Sequence, residues 1–364
     1  MYNHVFRFGK PSDETKRTIG IYGVGLKRAI FKIGENILIE SDDGKDFFSV
    51  LIDKKWLYDE QNWKLKFKSE EKSRGNPLTR ITITEIFPHI GEEMASTRFE
   101  NTLIERIKDT YSVFIEDRVT IEVKDKPVEP YDFRFLFDKK KGFVPFHKKY
   151  NFDGVDVEIY AGYTPVSREW HPYGWYVFCN DRLIIRSDTS DRTGWGGGGK
   201  KDRKYHYPQD NWILGIILFG SENPMLLPWQ TTKDDIQDDL KVYRKAQIEM
   251  KTITGKFTDV IRIAYETRDP ETRETIGTTI FEDVQTRSRR EIKEELEEVV
   301  PEIKGELGQE AIRNIPEIAY IQYPEKINLI KKVKKKLGNS YMSNKEVGKK
   351  TFKYYVDMEG VKDE

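Results

Sequence analysis

The chain has 364 residues, with 62 Lys+Arg against 62 Asp+Glu and a formal net charge of +0. That length suits two or three domains with real cores, and the charge balance supplies no global basic field for nucleic acid. A single cysteine, Cys179, excludes an internal disulfide and a multi-cysteine zinc site, and fits a reducing compartment. Taken in chain order, Leu26, Ala29, Ile30 and Ile33 recur at helical spacing. Alternating runs then read as strands at 36–41 (NILIES), 47–52 (FFSVLI), 63–68 (WKLKFK) and 79–86 (TRITITEI). One helix on a largely antiparallel sheet is expected here.

A second block predicts a helix over 102–115 and strands over 118–125, 154–163, 174–180, 182–188 and 211–220. GWGGGGKKDRK (194–204) reads as a loop between them. LLPWQTTKDD then leads into a long helix from about Asp238 to Tyr265. From about Arg268 the chain reads as charged helix, with SRREIKEELEEVV presenting a solvated face and KINLIKKVKKKLG (326–338) forming a basic amphipathic helix. The fold class is α+β, with domains expected at 1–95, 96–267 and 268–364. No apolar run approaches the roughly 18 residues of a membrane span. The opening stretch MYNHVFRFGKPSDETKR lacks the apolar segment of a signal peptide. A cytoplasmic protein without membrane partners is expected.

The stretch TIGIYGVGLKRAIFKIG carries Gly20, Gly23 and Gly25 directly before the first helix. Glycine lets the backbone approach a ligand and adopt positive φ. The helix then aims free N–H groups and a partial positive charge at whatever lies above the turn, and Lys27 and Arg28 add charge there. A tight helix-packing turn with surface lysine is the competing reading. No apolar strand precedes the turn, which rules out a dinucleotide-binding fingerprint. Leu26 follows Gly25, which rules out a Walker A loop.

IGIYGVGLKRAIFKIG resembles the last glycine box of the GHKL ATPase superfamily, which includes gyrase-type topoisomerases, sensor histidine kinases and MutL- and MORC-type proteins. The resemblance implies a cradle for the ATP β- and γ-phosphates formed by Gly20, Tyr22, Gly23, Val24, Gly25, Leu26 and Lys27. LPWQTTKDDI (227–236) resembles the loop by which the family's transducer domain reaches the nucleotide. Lys233 matches its γ-phosphate lysine, and Gln230 is the counterpart of its glutamine, one residue further away than in the gyrase pattern. A solvated loop lysine is the alternative. NPLTRITITEI sits where the family has a Thr-bearing strand, which gives Thr79 a role near adenine or leaves it an ordinary strand threonine. GWYVFCNDRLI resembles the transducer strand pair with its Asn-x-Arg turn, a feature of fold rather than chemistry.

The resemblance therefore implies part of a GHKL two-layer α/β sandwich, a transducer domain of the ribosomal-protein-fold type and a helical C-terminal region. Nothing upstream of Gly20 matches the family's helix with a water-activating Glu and a Mg²⁺-holding Asn, or its Asp-x-Gly-x-Gly adenine turn. The expectation is a GHKL protein without its first half-domain, left with an exposed sheet edge. A misplaced start, a separate completing chain, or conversion into a binding module would each account for this. ATP is the expected cofactor, with Mg²⁺ but no ligand for it identified, and autonomous hydrolysis is not expected. A homodimer or a completing partner chain is implied. DNA is a further candidate partner through the basic stretches KKDRKYHY and KKVKKKLG. The five histidines fall at no metal-ligand spacing.

Overall fold

The computed structural model describes residues 17–20, 23–61, 64–70, 73–140, 143–165, 173–195, 211–266, 284–296 and 325–361. The chain divides into two compact units, Met1–Ile315 and Pro316–Glu364. In the first, helix α1 (Gly25–Ile33) passes without a linker into strand β1 (Gly34–Asp42). The joint needs glycine: a Cβ on Gly34 would lie 2.9 Å from the Thr84 carbonyl oxygen. Strands β2 (Phe47–Ile52), β3 (Phe67–Glu70) and β4 (Leu78–Ile86) complete an antiparallel sheet in the order β3-β2-β1-β4. Ile30 of α1 packs on Ile37, Ile39, Val50 and Ile52, burying one face of the sheet. Strand β4 forms one edge and β3 the other. Ile81 is 37% exposed although Ile39, directly across from it, is 2% exposed.

Helix α2 (Lys54–Leu57) connects β2 to β3, and α3 (Pro88–Ala95) follows β4. Helix α4 (Thr97–Asp117) begins at Ser96, whose hydroxyl accepts from the Phe99 N–H at 3.1 Å. The strand expected over 118–125 shrinks to a tight hairpin. Glu122–Val123 (β5) pairs with Lys126–Pro127 (β6) around Lys124 and Asp125, both at positive φ, and Pro127 has no N–H with which to extend the ladder.

Strand β7 (Arg134–Phe137) precedes a second sheet of β8 (Phe146–Phe152), β9 (Val155–Tyr163), β10 (Gly174–Cys179), β11 (Arg182–Asp188) and β12 (Ile213–Gly220), ordered β11-β10-β12-β9-β8. Its centre is a parallel pair, β10 with β12, and every residue of both strands is buried. Such continuous apolar strands need cover on both faces. Helix α5 (Lys241–Glu266) supplies one side, where Tyr243, Met250, Ile253 and Phe257 meet Trp175, Val177, Ile217 and Phe219. On the other side Val113 of α4, Phe133 and Phe135 pack on Tyr176, Phe178, Leu214 and Ile216. Cys179 is fully buried here, and burial raises its thiol pKa well above the usual value.

Within the range expected to be charged helix, β13 (Gln285–Ser288) pairs with β7, and α6 (Arg289–Leu296) places Ile292 in the second core. Arg289, expected on a solvated face, is 2% exposed and binds Glu116 and Asp117 at 2.7 and 2.9 Å. Two acids waiting at the end of α4 make burial of that guanidinium tolerable. The second unit contains α7 (Ile327–Lys336) and α8 (Asn344–Glu359), the latter opened by a Ser343–Glu346 capping box. Among the described residues no helix is long and apolar enough to cross a membrane. The fold is mixed α/β.

Candidate functional site

The glycine turn enters α1 through an open end. Gly23 has φ +61°, in the left-handed region. The N-cap is Val24, which has no side chain able to cap, and the first turn holds no acid, so the leading N–H groups keep their capacity for an external acceptor. Gly20, Gly23, Val24, Gly25 and Leu26 are all exposed, and a Cβ at Gly20 or Gly25 would meet nothing within 4 Å. Packing therefore does not explain these two glycines. Lys27 is 5% exposed, and burial lowers its ammonium pKa. Tyr22 lies outside the described residues. Thr79 is spoken for within the small sheet: its hydroxyl hydrogen-bonds the Ser41 hydroxyl at 3.0 Å, directly across the β1–β4 ladder.

The residues leading into the turn are pinned to the far sheet. Cys179 and Arg182 face each other across a two-residue hairpin. Asn180 and Asp181 fill it with φ of 46° and 65°, the pattern of a type I′ turn, which Asn and Asp tolerate better than most residues. The Asn180 amide is saturated by main chain: Nδ2 donates to the Thr18 carbonyl at 2.8 Å and the Ser221 carbonyl at 3.1 Å, while Oδ1 accepts from the Ser221 N–H at 3.0 Å. Oδ1 also accepts from Arg17 Nε at 3.1 Å. Arg17 and Arg118 both reach the Asp181 carboxylate, at 3.5 and 3.2 Å.

The loop from Trp229 to Ile236 closes on itself through a bridge between those two residues and a 2.9 Å bond from the Gln230 N–H to the Asp235 carbonyl. Asp235 is anchored by Arg192, whose hydrogen bond is the main cause of its lowered carboxyl pKa. Gln230 Nε2 reaches Asp235 Oδ2 at 3.5 Å. Lys233 sits at the loop tip with φ +59°, a conformation that costs a lysine about 1 kcal/mol. Its ammonium lies 5.6 Å from the Trp229 ring centroid and makes no ion pair among the described residues. Burial, and then the nearby charge of Arg182, lower its pKa.

Sequence reasoning missed Arg182 as a chemical group, because the Asn-x-Arg turn was read as structural only. The signal was present: a type I′ turn fixes the direction of the residue that follows it. Arg182 Nη1 donates to the Tyr111 hydroxyl at 2.9 Å, whereas its Nε is buried without a hydrogen-bond partner. A cleft of about 380 Å³ opens beside the hairpin, lined in part by Arg17, Arg118, Lys149, Glu158, Asp181 and Arg289. Its charges are largely matched internally, as in Lys149 with Glu158 at 3.3 Å. Among the described residues no group of three or more His, Cys, Asp or Glu is placed to hold a metal ion.

No family profile and no curated protein matches the chain. Among solved structures it is similar to the crystal structure of the B-subunit of the DNA gyrase from Myxococcus xanthus, at 10% identity and a TM-score of 0.37, over 68% of this chain and 71% of that one. Similarity at that level assigns neither family nor function, so the functional argument rests on the residues themselves.

Proposed function

We propose that the chain is an ATP-binding protein of GHKL type that acts as a nucleotide-gated conformational switch. The observation that carries this reading is the glycine turn that opens into α1 without a side-chain cap or an acid in the first turn. Asn180 holds the Thr18 carbonyl, two residues before Gly20, and fixes the approach to that turn. Gly20, Tyr22, Gly23, Val24, Gly25, Leu26 and Lys27 take the role of phosphate cradle, and Lys233 with Gln230 senses the terminal phosphate. Thr79 belongs to the adenine side. Residues 1–95, 96–267 and 268–364 are then nucleotide, transducer and C-terminal parts, working as a cytoplasmic homodimer or with a chain that completes the site. Mg²⁺ would accompany ATP, and no ligand for it is assigned. Hydrolysis by this chain alone is not part of the proposal, because no general base is assigned.

Isothermal titration of the full chain with a non-hydrolysable ATP analogue tests the reading. Binding that weakens in Lys233→Ala, with thermal stability kept, is expected. No heat at millimolar analogue, or unchanged affinity in Lys233→Ala, would refute it. The exposed edge at β4 favours a second reading, a non-catalytic interaction module that takes up a partner strand. DNA binding with a steep salt slope and no response to nucleotide would favour a third.

A further inference from the structure

We propose that the second unit binds single-stranded nucleic acid, with the lysines of α7 holding phosphates and the aromatic side chains of α8 stacking on bases. The chain as a whole is neutral, but its residues 325–361 hold ten lysines against four acids. One of those acids, Glu346, is committed to the capping box with Ser343. On α7 the apolar residues Ile330, Val333 and Leu337 lie half-buried at helical spacing, and α7 packs on α8. Lys331, Lys332, Lys335 and Lys336 are all exposed and make no ion pair among the described residues. They form two i,i+4 pairs, each spanning about 6 Å along the helix axis. Like charges at that spacing repel. A strand of phosphates relieves the repulsion and releases its own counterions as it binds.

The aromatic residues decide between a nucleic acid and an anionic lipid surface. Phe352, Tyr354 and Tyr355 are 56%, 66% and 60% exposed, and Tyr341, between the two helices, is 98% exposed. A helix that lies in a lipid interface gathers its apolar residues on one face. Phe352 and Tyr354, two residues apart, instead leave α8 in nearly opposite directions, with Lys353 between them and Lys350 one turn before Tyr354. On α7 the apolar face is the half-buried one, so lipid would meet lysine alone there. Separate rings interleaved with ammonium groups suit stacking on bases, whose faces are free only when unpaired. This surface needs no nucleotide, so it is independent of the ATP reading; it gives the DNA-binding alternative a place and a chemistry.

The test is fluorescence anisotropy of the full chain with a labelled oligothymidine and with a duplex of the same length, over a salt series. Phosphatidylserine vesicles serve as the lipid control. Wild type should bind the single strand more tightly than the duplex, with a slope of log affinity against log salt of about −3, the release expected from four phosphates. The quadruple variant Lys331→Gln/Lys332→Gln/Lys335→Gln/Lys336→Gln should bring that slope close to zero and weaken binding about 100-fold or more. Phe352→Ala and Tyr354→Ala should each weaken it by about 5- to 100-fold with the slope unchanged, the loss of one stacked base. If the quadruple variant loses helicity, Lys332→Gln/Lys336→Gln replaces it, with about half the change in slope. No binding of oligothymidine at micromolar chain and low salt overturns the proposal. So does wild-type affinity in a folded lysine variant, which places any nucleic-acid binding elsewhere in the chain. Aromatic variants that bind like wild type, or tighter binding of the duplex, remove the stacking role and the site with it. Vesicle binding without oligothymidine binding assigns the surface to lipid and overturns it as well. Titration with the ATP analogue is a separate measurement, so either reading can fail alone.

Discussion

Replacing Lys233 by Asn separates a residue kept for structure from one kept for a ligand. At φ +59° a lysine carries about 1 kcal/mol of backbone strain, which asparagine largely avoids. The substitution also removes a half-buried ammonium whose burial lowers its pKa. Against these gains stands the Trp229 contact at 5.6 Å, a long cation–π interaction of about 0.5 kcal/mol at a half-buried site. The balance is about 0.5 kcal/mol in favour of Asn, or a rise in Tm of roughly 1 °C for the unit Met1–Ile315. Thermal unfolding of the ligand-free chain, followed by circular dichroism, measures it. Affinity of the same variant for the ATP analogue should fall at least about tenfold, the loss of one charge-assisted contact. A Tm lowered by several degrees would show that the lysine holds the loop together, and the functional argument for it would fail.

Other perturbations follow from the frame around the site. Burial alone would raise the Glu158 carboxyl, but hydrogen bonds from His147 and Tyr160, with Lys149 and Lys293 nearby, outweigh that effect and hold its pKa at about 2. A carboxyl depressed from 4.5 stabilises the fold above that pH and loses its contribution as pH falls towards 2. Partial exposure reduces the full value to about 2 kcal/mol, so urea titrations between pH 5 and pH 2 should show that loss in wild type and much less in Glu158→Gln. In Gly215→Ala the new Cβ would lie 2.3 Å from the fully buried Trp175 ring. A cost of about 3 kcal/mol is expected in urea unfolding, and a neutral result would mean that the indole moves freely. Arg289→Met leaves Glu116 and Asp117 without their partner. Those acids are partly solvated, so about 2 kcal/mol is expected, read as faster hydrogen exchange across 285–296; unchanged protection there would show that the ion pairs do not hold α6 in place.

Strands with a strong period or a continuous apolar run were legible from sequence, as ILGIILFG and NILIES show. Elements defined by long-range pairing were not. RFLF at 134–137 becomes β7 because Gln285–Ser288 pairs with it, a contact across some 150 residues that no local pattern announces. Arg289 was misread for a related reason. Its neighbours in sequence are charged, and only the end of α4 supplies the acids that let it be buried. At the candidate site, the glycine turn and Lys233 were visible as motifs. Arg182 was hidden because its hydrogen-bond partner, Tyr111, lies 71 residues away in sequence.

Cys179 gives this protein a built-in reporter. The thiol is fully buried and its pKa is raised, so a thiol reagent meets little thiolate until the central strands part. It immediately precedes the hairpin that gathers Thr18, Ser221 and Arg182. Labelling rates at this one atom therefore time the opening of the junction on which the approach to the glycine turn depends. A ligand that closes the site should slow that clock without touching the cysteine.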